Sequence, residues 1–199
     1  ISGAVGGIRT YFEMSDWQLG FAVGCVIFGA MFGNIVAGPL SDKYGRRKLL
    51  IVTAMLFTIS ALWSAMATDY VSFVIARIIG GIGIGGAILI APIYIAEIAP
   101  PKLRGSLVSL NQLNIVLGIS VAYFSNYFLK DLEGESWRWM LGVEAIPALI
   151  YFLALFAVPR SPRWLIQKLN EVTIAKKILV KIGGDEVADT TIGEIKRGI

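Results

Sequence analysis

The sequence predicts an all-α protein embedded in a membrane, and two observations predict it. Charged residues make up 16% of the chain, against about a quarter in soluble domains. They are also unevenly placed: residues 17–40, 49–68 and 105–129 carry none, 70–96 only Arg77, and 139–159 only Glu144. Each of these five stretches reaches the ~20 predominantly apolar residues that a spanning helix needs. Lipid tolerates only helices or closed barrels, because the backbone has no water to bond there. The ~10-residue alternation of polarity that marks barrel strands is missing.

In chain order, spanning helices are expected at 17–40, 48–68, 70–96, 105–128 and 138–158, with the tail of a preceding one at 1–8. The opening ISGAVGG looks like the end of an earlier apolar segment, so the chain is expected to begin inside its first membrane helix. The short connection at 69–70 forces an antiparallel hairpin. Beyond Val158 charges return and apolar residues recur at helical spacing. Ser161-Pro162 reads as an N-cap followed by proline at the first helical position. Trp164, Leu165 and Leu169 then share a face. A second helix fits 172–182, with Ile174, Ile178, Leu179 and Ile182 inward and Gly183-Gly184 ending it. Thr191 with Glu194 resembles a capping box that opens a last short helix. The chain therefore divides into a membrane bundle, 1–158, and an amphipathic helical segment, 159–199, too polar to span.

Orientation follows from Lys and Arg. With alternating spans, one side holds the 41–48 loop, the 97–104 loop and the tail from 159, carrying 4, 2 and 8 cations. The other side holds Arg9, Lys130 and Arg138 with six acids, Glu13, Asp16, Asp69, Asp131, Glu133 and Glu135. The positive-inside rule places the first side in the cytoplasm. The net charge of +4 is thereby explained by topology and calls for no nucleic-acid partner.

Several chemistries are excluded or unsupported. The chain has no His, so no His-based metal site or proton relay exists, and no nucleophile–base or metal-ligand constellation suggests an enzyme or a cofactor. Cys25, in an apolar helix, reads as a buried structural thiol. GGIGIGG (80–86) contains G-x-G-x-x-G, but without the preceding strand and βαβ context of a nucleotide site. Its glycines, with Gly20/Gly24 and Gly29/Gly33 at the same i,i+4 spacing, point to closely packed membrane helices.

Three polar positions stand out within the spans. Arg77 lies about 10 Å from the outer end of its helix and Glu144 about 9 Å from the outer end of another. Opposite charges at matching depth suggest a buried pair facing an aqueous cavity, since intramembrane ionisable groups usually mark a substrate or proton path. Gln112 sits between Asn111 and Asn114, two turns from the inner end of 105–128. Hydrogen bonding between helices and contact with a polar uncharged ligand bearing adjacent hydroxyls are both open for it.

GPLSDKYGRRKLL (38–50) resembles the G-x-x-x-D-(R/K)-x-G-R-(R/K) signature of the major facilitator superfamily. With ARIIGGIGIGG (76–86), PIYIAEIAPPKLRG (92–105), NQL (111–113), WRWML (137–141) and SPRWL (161–165), the chain is similar to the sugar porter family over Ile1 to about Lys168. The resemblance implies the N-terminal six-helix bundle of a major facilitator fold, its first helix truncated, plus cytoplasmic helices, in the plasma (inner) membrane. It implies a secondary transporter of a monosaccharide, coupled to protons; a uniporter and a transporter-like sugar sensor are the alternatives. Its partners are the sugar, protons, lipid and a C-terminal six-helix bundle. By the same resemblance Asp42 latches a helix of the other bundle. Arg46, Arg104 and Glu97, with Arg47 and Arg163, form gating salt bridges. Gln112 contacts sugar. Arg77 and Glu144 serve proton coupling, Arg77 facing an aspartate about one turn before Ile1. Arg160 departs from the family, which carries an acidic residue there.

Overall fold

A computed structural model describes residues 3–100, 103–130 and 135–197. The first two residues of the 1–8 segment, and Lys102, Asp131 and Glu133, lie outside them. The described residues form helices and connecting turns: α1 (Val5–Tyr11), α2 (Asp16–Tyr44), α3 (Arg46–Met66), α4 (Tyr70–Ile98), α5 (Arg104–Leu129), α6 (Ser136–Gly142), α7 (Ala145–Ala157), α8 (Pro162–Leu169) and α9 (Val172–Arg197). Five stretches are long and apolar enough to cross a membrane: α2, α3, α4, α5, and α6 with α7 taken as one span, Ser136–Ala157.

α4 occupies the middle, because glycine lets it approach neighbours on two sides. A Cβ on Gly81 or Gly85 would strike the carbonyls of Val26 and Ala30 in α2, and one on Gly29 or Gly33 those of Ile78 and Ile82 in α4. On its other side Gly80 and Gly83 lie against Ser60 and Thr53 of α3, and the Ser60 hydroxyl donates to the Ala76 carbonyl at 2.6 Å. Gly20 and Gly24 differ from the expectation. Nothing lies within 4 Å of a Cβ built on either, so that pair packs no described neighbour.

The ends of the spans have local causes. Ser15 and Gln18 close a capping box at the start of α2, and the Asp69 carboxylate accepts from the Ser72 amide to start α4. Gly45, at φ 94°, makes the turn from α2 to α3, a backbone conformation costly for residues with a Cβ. The expected single helix over 138–158 is interrupted at Val143 and Glu144. Pro147 has no N–H to give the Val143 carbonyl, which accepts instead from Ile146, three residues on, at 3.1 Å.

Two apolar clusters hold the bundle. One, near the α1 end, gathers Ile8, Cys25, Phe73, Trp137 and Leu141; the other, near the α2–α3 turn, gathers Leu50, Ala54, Ile90, Tyr94 and Leu155. α5 stands apart, with no buried residue.

A third cluster joins α8 to α9 through Trp164, Leu165, Leu179, Ala188 and Ile192. Ser161 caps α8 by accepting from the Trp164 amide at 3.2 Å, and Asn170 ends it at φ 56°. α9 breaks at Gly184 (φ 83°). It resumes before Thr191, so the Thr191–Glu194 pattern lies inside a helix and does not open one.

Candidate functional site

Arg46 ties the α2–α3 turn to Glu97, the next-to-last residue of α4. Arg46, in the first residue of α3, places Nε 3.1 Å from Glu97 Oε1 and Nη2 2.8 Å from Asp42 Oδ1. Its Nη1 donates to the Ser41 carbonyl at 3.1 Å. The Glu97 side chain is 7% exposed and that of Arg46 13%, while Asp42 is 60% exposed. The inner pair is thus nearly desolvated and the outer one open to water. The second oxygen of Glu97 accepts from the Ser161 hydroxyl at 2.5 Å. One carboxylate therefore joins the start of α3 to the cap of α8. Trp164 adds a second tie, donating from Nε1 to the Asp42 carbonyl at 2.9 Å. Its ring lies against Gly45, where a Cβ would come within 3.2 Å of it. Tyr94 adds a third, its hydroxyl donating to the Pro159 carbonyl at 2.6 Å.

Three cations expected in ion pairs are placed otherwise. Arg47 donates from Nε to the Leu155 carbonyl at 2.9 Å and from Nη2 to the Phe156 carbonyl at 2.6 Å. These are carbonyls in the last turn of α7, which its own backbone leaves unpaired and partly negative. Arg104 and Arg163 make no ion pair with Glu97; its oxygens are held by Arg46 and Ser161. Both instead line a cavity of about 320 Å³ with Glu97 and Glu194. Ser161 was legible only as a helix cap, and nothing in the sequence marks it as a carboxylate partner.

Arg77 and Glu144 lie within electrostatic reach of one another but form no ion pair. The Arg77 Nε is buried without a hydrogen-bond partner among the described residues. Glu144 sits at the break between α6 and α7, where the chain leaves regular helix. Gln112 is exposed on α5. Asn111 and Asn114 border cavities against α4, and Gln112 lines neither. The three amides therefore divide between two faces of the helix.

Five apolar spans, one of them the glycine-packed α4, with amphipathic helices tied to one end, define an integral membrane protein with one half of a major facilitator fold. The proton:xylose symporter XylE, in its complex with 6-bromo-6-deoxy-D-glucose, superposes with a TM-score of 0.92 at 37% identity, covering 99% of this chain and 48% of that one. The chain belongs to the sugar (and other) transporter family, whose profile matches residues 6–199. It is 42% identical over 205 residues to an arabinose-proton symporter of Bacillus subtilis (strain 168), covering 100% of this chain and 44% of that protein. It is 39% identical over 196 residues to the glucose transporter GlcP of Staphylococcus epidermidis (strain ATCC 12228 / FDA PCI 1200), covering 98% and 43%. The chain spans about half the length of the curated relatives it matches.

Proposed function

We propose that these residues are the N-terminal half of a secondary active transporter that moves a monosaccharide together with protons by alternating access. The observation that carries this reading is Arg77. It is a cation inside a span, with one nitrogen unsatisfied and Glu144 within electrostatic reach. An intramembrane charge so placed is costly, and such charges mark substrate or ion paths. The proton-symporter names of relatives and of the superposed structure support the same reading.

Each residue takes a role in this scheme. Residues 1–158 form the membrane bundle, and 159–199 lie on the cytoplasmic side of the plasma (inner) membrane with loops 41–48 and 97–104. Asp42, ion-paired with Arg46 but 60% exposed, can also engage a helix of the second bundle in one state; a contact made in one state only biases the equilibrium between states. Arg46 and Glu97 form the fixed base of that latch. Arg47 holds α7, and Arg104 and Arg163 are cations available to Glu97 or Glu194 in the other state. Gln112, open on α5, faces the sugar, its amide both donating and accepting to neighbouring hydroxyls. The site lies between two bundles that rock about it. No step requires a cofactor or the making of a covalent bond, so the protein is a transporter and not an enzyme.

The test is uptake of labelled xylose, arabinose and glucose by the full-length protein in proteoliposomes, with and without an inward proton gradient. Accumulation that needs the gradient and is lost in Glu144→Gln is the expected result. Equilibration that ignores both would remove proton coupling from the reading.

A further inference from the structure

Two cations beside the α2–α3 turn have no role in the network around Glu97. Lys48, in the first turn of α3, and Arg160, in the link from α7 to α8, are exposed, and neither makes an ion pair or hydrogen bond among the described residues. Both line one cavity of about 200 Å³, together with Arg46 and Arg47. No Asp or Glu is among its lining residues. Arg46 is neutralised by Asp42 and Glu97, and Arg47 is held by the α7 carbonyls. Lys48, Arg160 and Arg47 therefore share a concave space without a counter-charge, an arrangement that concentrates positive potential and favours entry of an anion.

The depth of the cavity narrows the choice of anion. Its apolar wall includes Ile51, in the second turn of α3, and Phe156, next to the last residue of α7. Both helices are spans, so the cavity opens where hydrocarbon gives way to headgroups. Ions free in solution gain nothing from Ile51 and Phe156, whereas a lipid presents phosphate and methylenes together. The same end of α7 also borders a groove of about 960 Å³ that carries Lys177 and Lys181, so positive charge continues around it.

We infer that the cavity between α3, α7 and the start of α8 seats the headgroup of an anionic phospholipid. Lys48 and Arg160 meet its phosphate, and Ile51 and Phe156 meet its first methylenes. Juxtamembrane cations contribute about 1 kcal/mol each toward anionic lipid, roughly fivefold in affinity.

The experiment uses the full-length protein equilibrated with mixed phosphatidylglycerol and phosphatidylcholine in mild detergent, with retained lipid counted by native mass spectrometry. Wild type is expected to retain phosphatidylglycerol in preference to phosphatidylcholine. Arg160→Gln should weaken that retention about fivefold and the Lys48→Gln/Arg160→Gln pair about 25-fold. Lys196→Gln, in the last turn of α9, should leave it unchanged. Equal retention of both lipids, or undiminished phosphatidylglycerol in the paired variant, would overturn the inference. Retention of added inorganic phosphate without any lipid preference would overturn it too. Thermal melting checks that each variant is folded; should the pair not fold, Arg160→Gln alone decides.

Discussion

Removing the Glu97 carboxylate tests the central contact of the site. Glu97 and Arg46 are both nearly buried, with Nε and Oε1 3.1 Å apart. Two unit charges about 4 Å apart at an effective dielectric near 20 attract by about 4 kcal/mol. Deleting one partner of such a pair costs about 3–5 kcal/mol, because the other charge is left desolvated. In Glu97→Ala, Arg46 keeps the Ser41 carbonyl but only the exposed Asp42 as a counter-charge, and exposed pairs contribute ~0–1 kcal/mol. Ser161 also loses its acceptor. At about 2–4 °C per kcal/mol for a unit of this size, Glu97→Ala should lower the melting temperature by roughly 6–20 °C, followed by tryptophan fluorescence of the full-length protein. Arg46→Ala should cost a similar amount. The double variant should lose little more than either single one, giving a coupling energy close to the cost of one single change, about 3 kcal/mol or more, at the upper end of what residues in one network show. Additive losses, or a shift of about 1 °C or less in Glu97→Ala, would refute the claim that the desolvated pair holds this end of the bundle together.

Gly85→Ala places a methyl on the Ala30 carbonyl of α2, with only backbone to yield. It should destabilise by about 1–3 kcal/mol, whereas Gly142→Ala, which meets only the Ala65 methyl at ordinary distance, should stay within about 0.5 kcal/mol in the same melt. Lys176, whose side chain is 45% exposed, donates to Asp189 at 2.6 Å. That hydrogen bond, reinforced by the carboxylate's charge, raises its pKa above the ordinary lysine value. A raised folded pKa stabilises at pH values below the unfolded one, near 10.4, and the contribution disappears as pH rises through the folded value. Amide protection across the Gly184 break, after correction for the hydroxide catalysis of exchange, should therefore fall in that alkaline window in wild type and not in Lys176→Gln; identical corrected profiles would remove the pair from the account.

How far the sequence revealed this molecule depended on which force set each feature. The membrane spans were legible because exclusion of charge from lipid acts on every residue of a stretch. The break before Ala145 was not, since it turns on one missing donor, Pro147, acting four residues upstream in an otherwise unbroken apolar run. The restart of α9 before Thr191 was misplaced for a different reason. A local capping pattern was weighed against burial of Ala188 and Ile192 on α8, and tertiary packing prevailed. At the site, Arg46 and Glu97 are 51 residues apart and were joined only through family resemblance. The partners of Arg47 are carbonyls, which a reading of charges cannot foresee. The position of Gln112 on α5 follows from helical spacing, but what it faces is not encoded in the neighbouring amides.

The glycine faces of α4 have a mechanical consequence. Backbone touches backbone along α2 and at Gly83 against the Thr53 carbonyl of α3, and elsewhere only the short Ser60 and Thr53 side chains intervene. Little cushion therefore remains to re-pack by hopping rotamers. Sliding α2 or α3 along α4 would mean lifting one main chain over another, and close-packed interiors respond to strain by jumping between arrangements, not by yielding gradually. The three helices therefore form a stiff beam. Compliance is concentrated in α5, which buries nothing, and in the joint between α6 and α7, where the Val143 carbonyl lacks its regular helical donor. Any bending that the bundle undergoes is channelled toward the helix that carries Gln112 and the joint that carries Glu144.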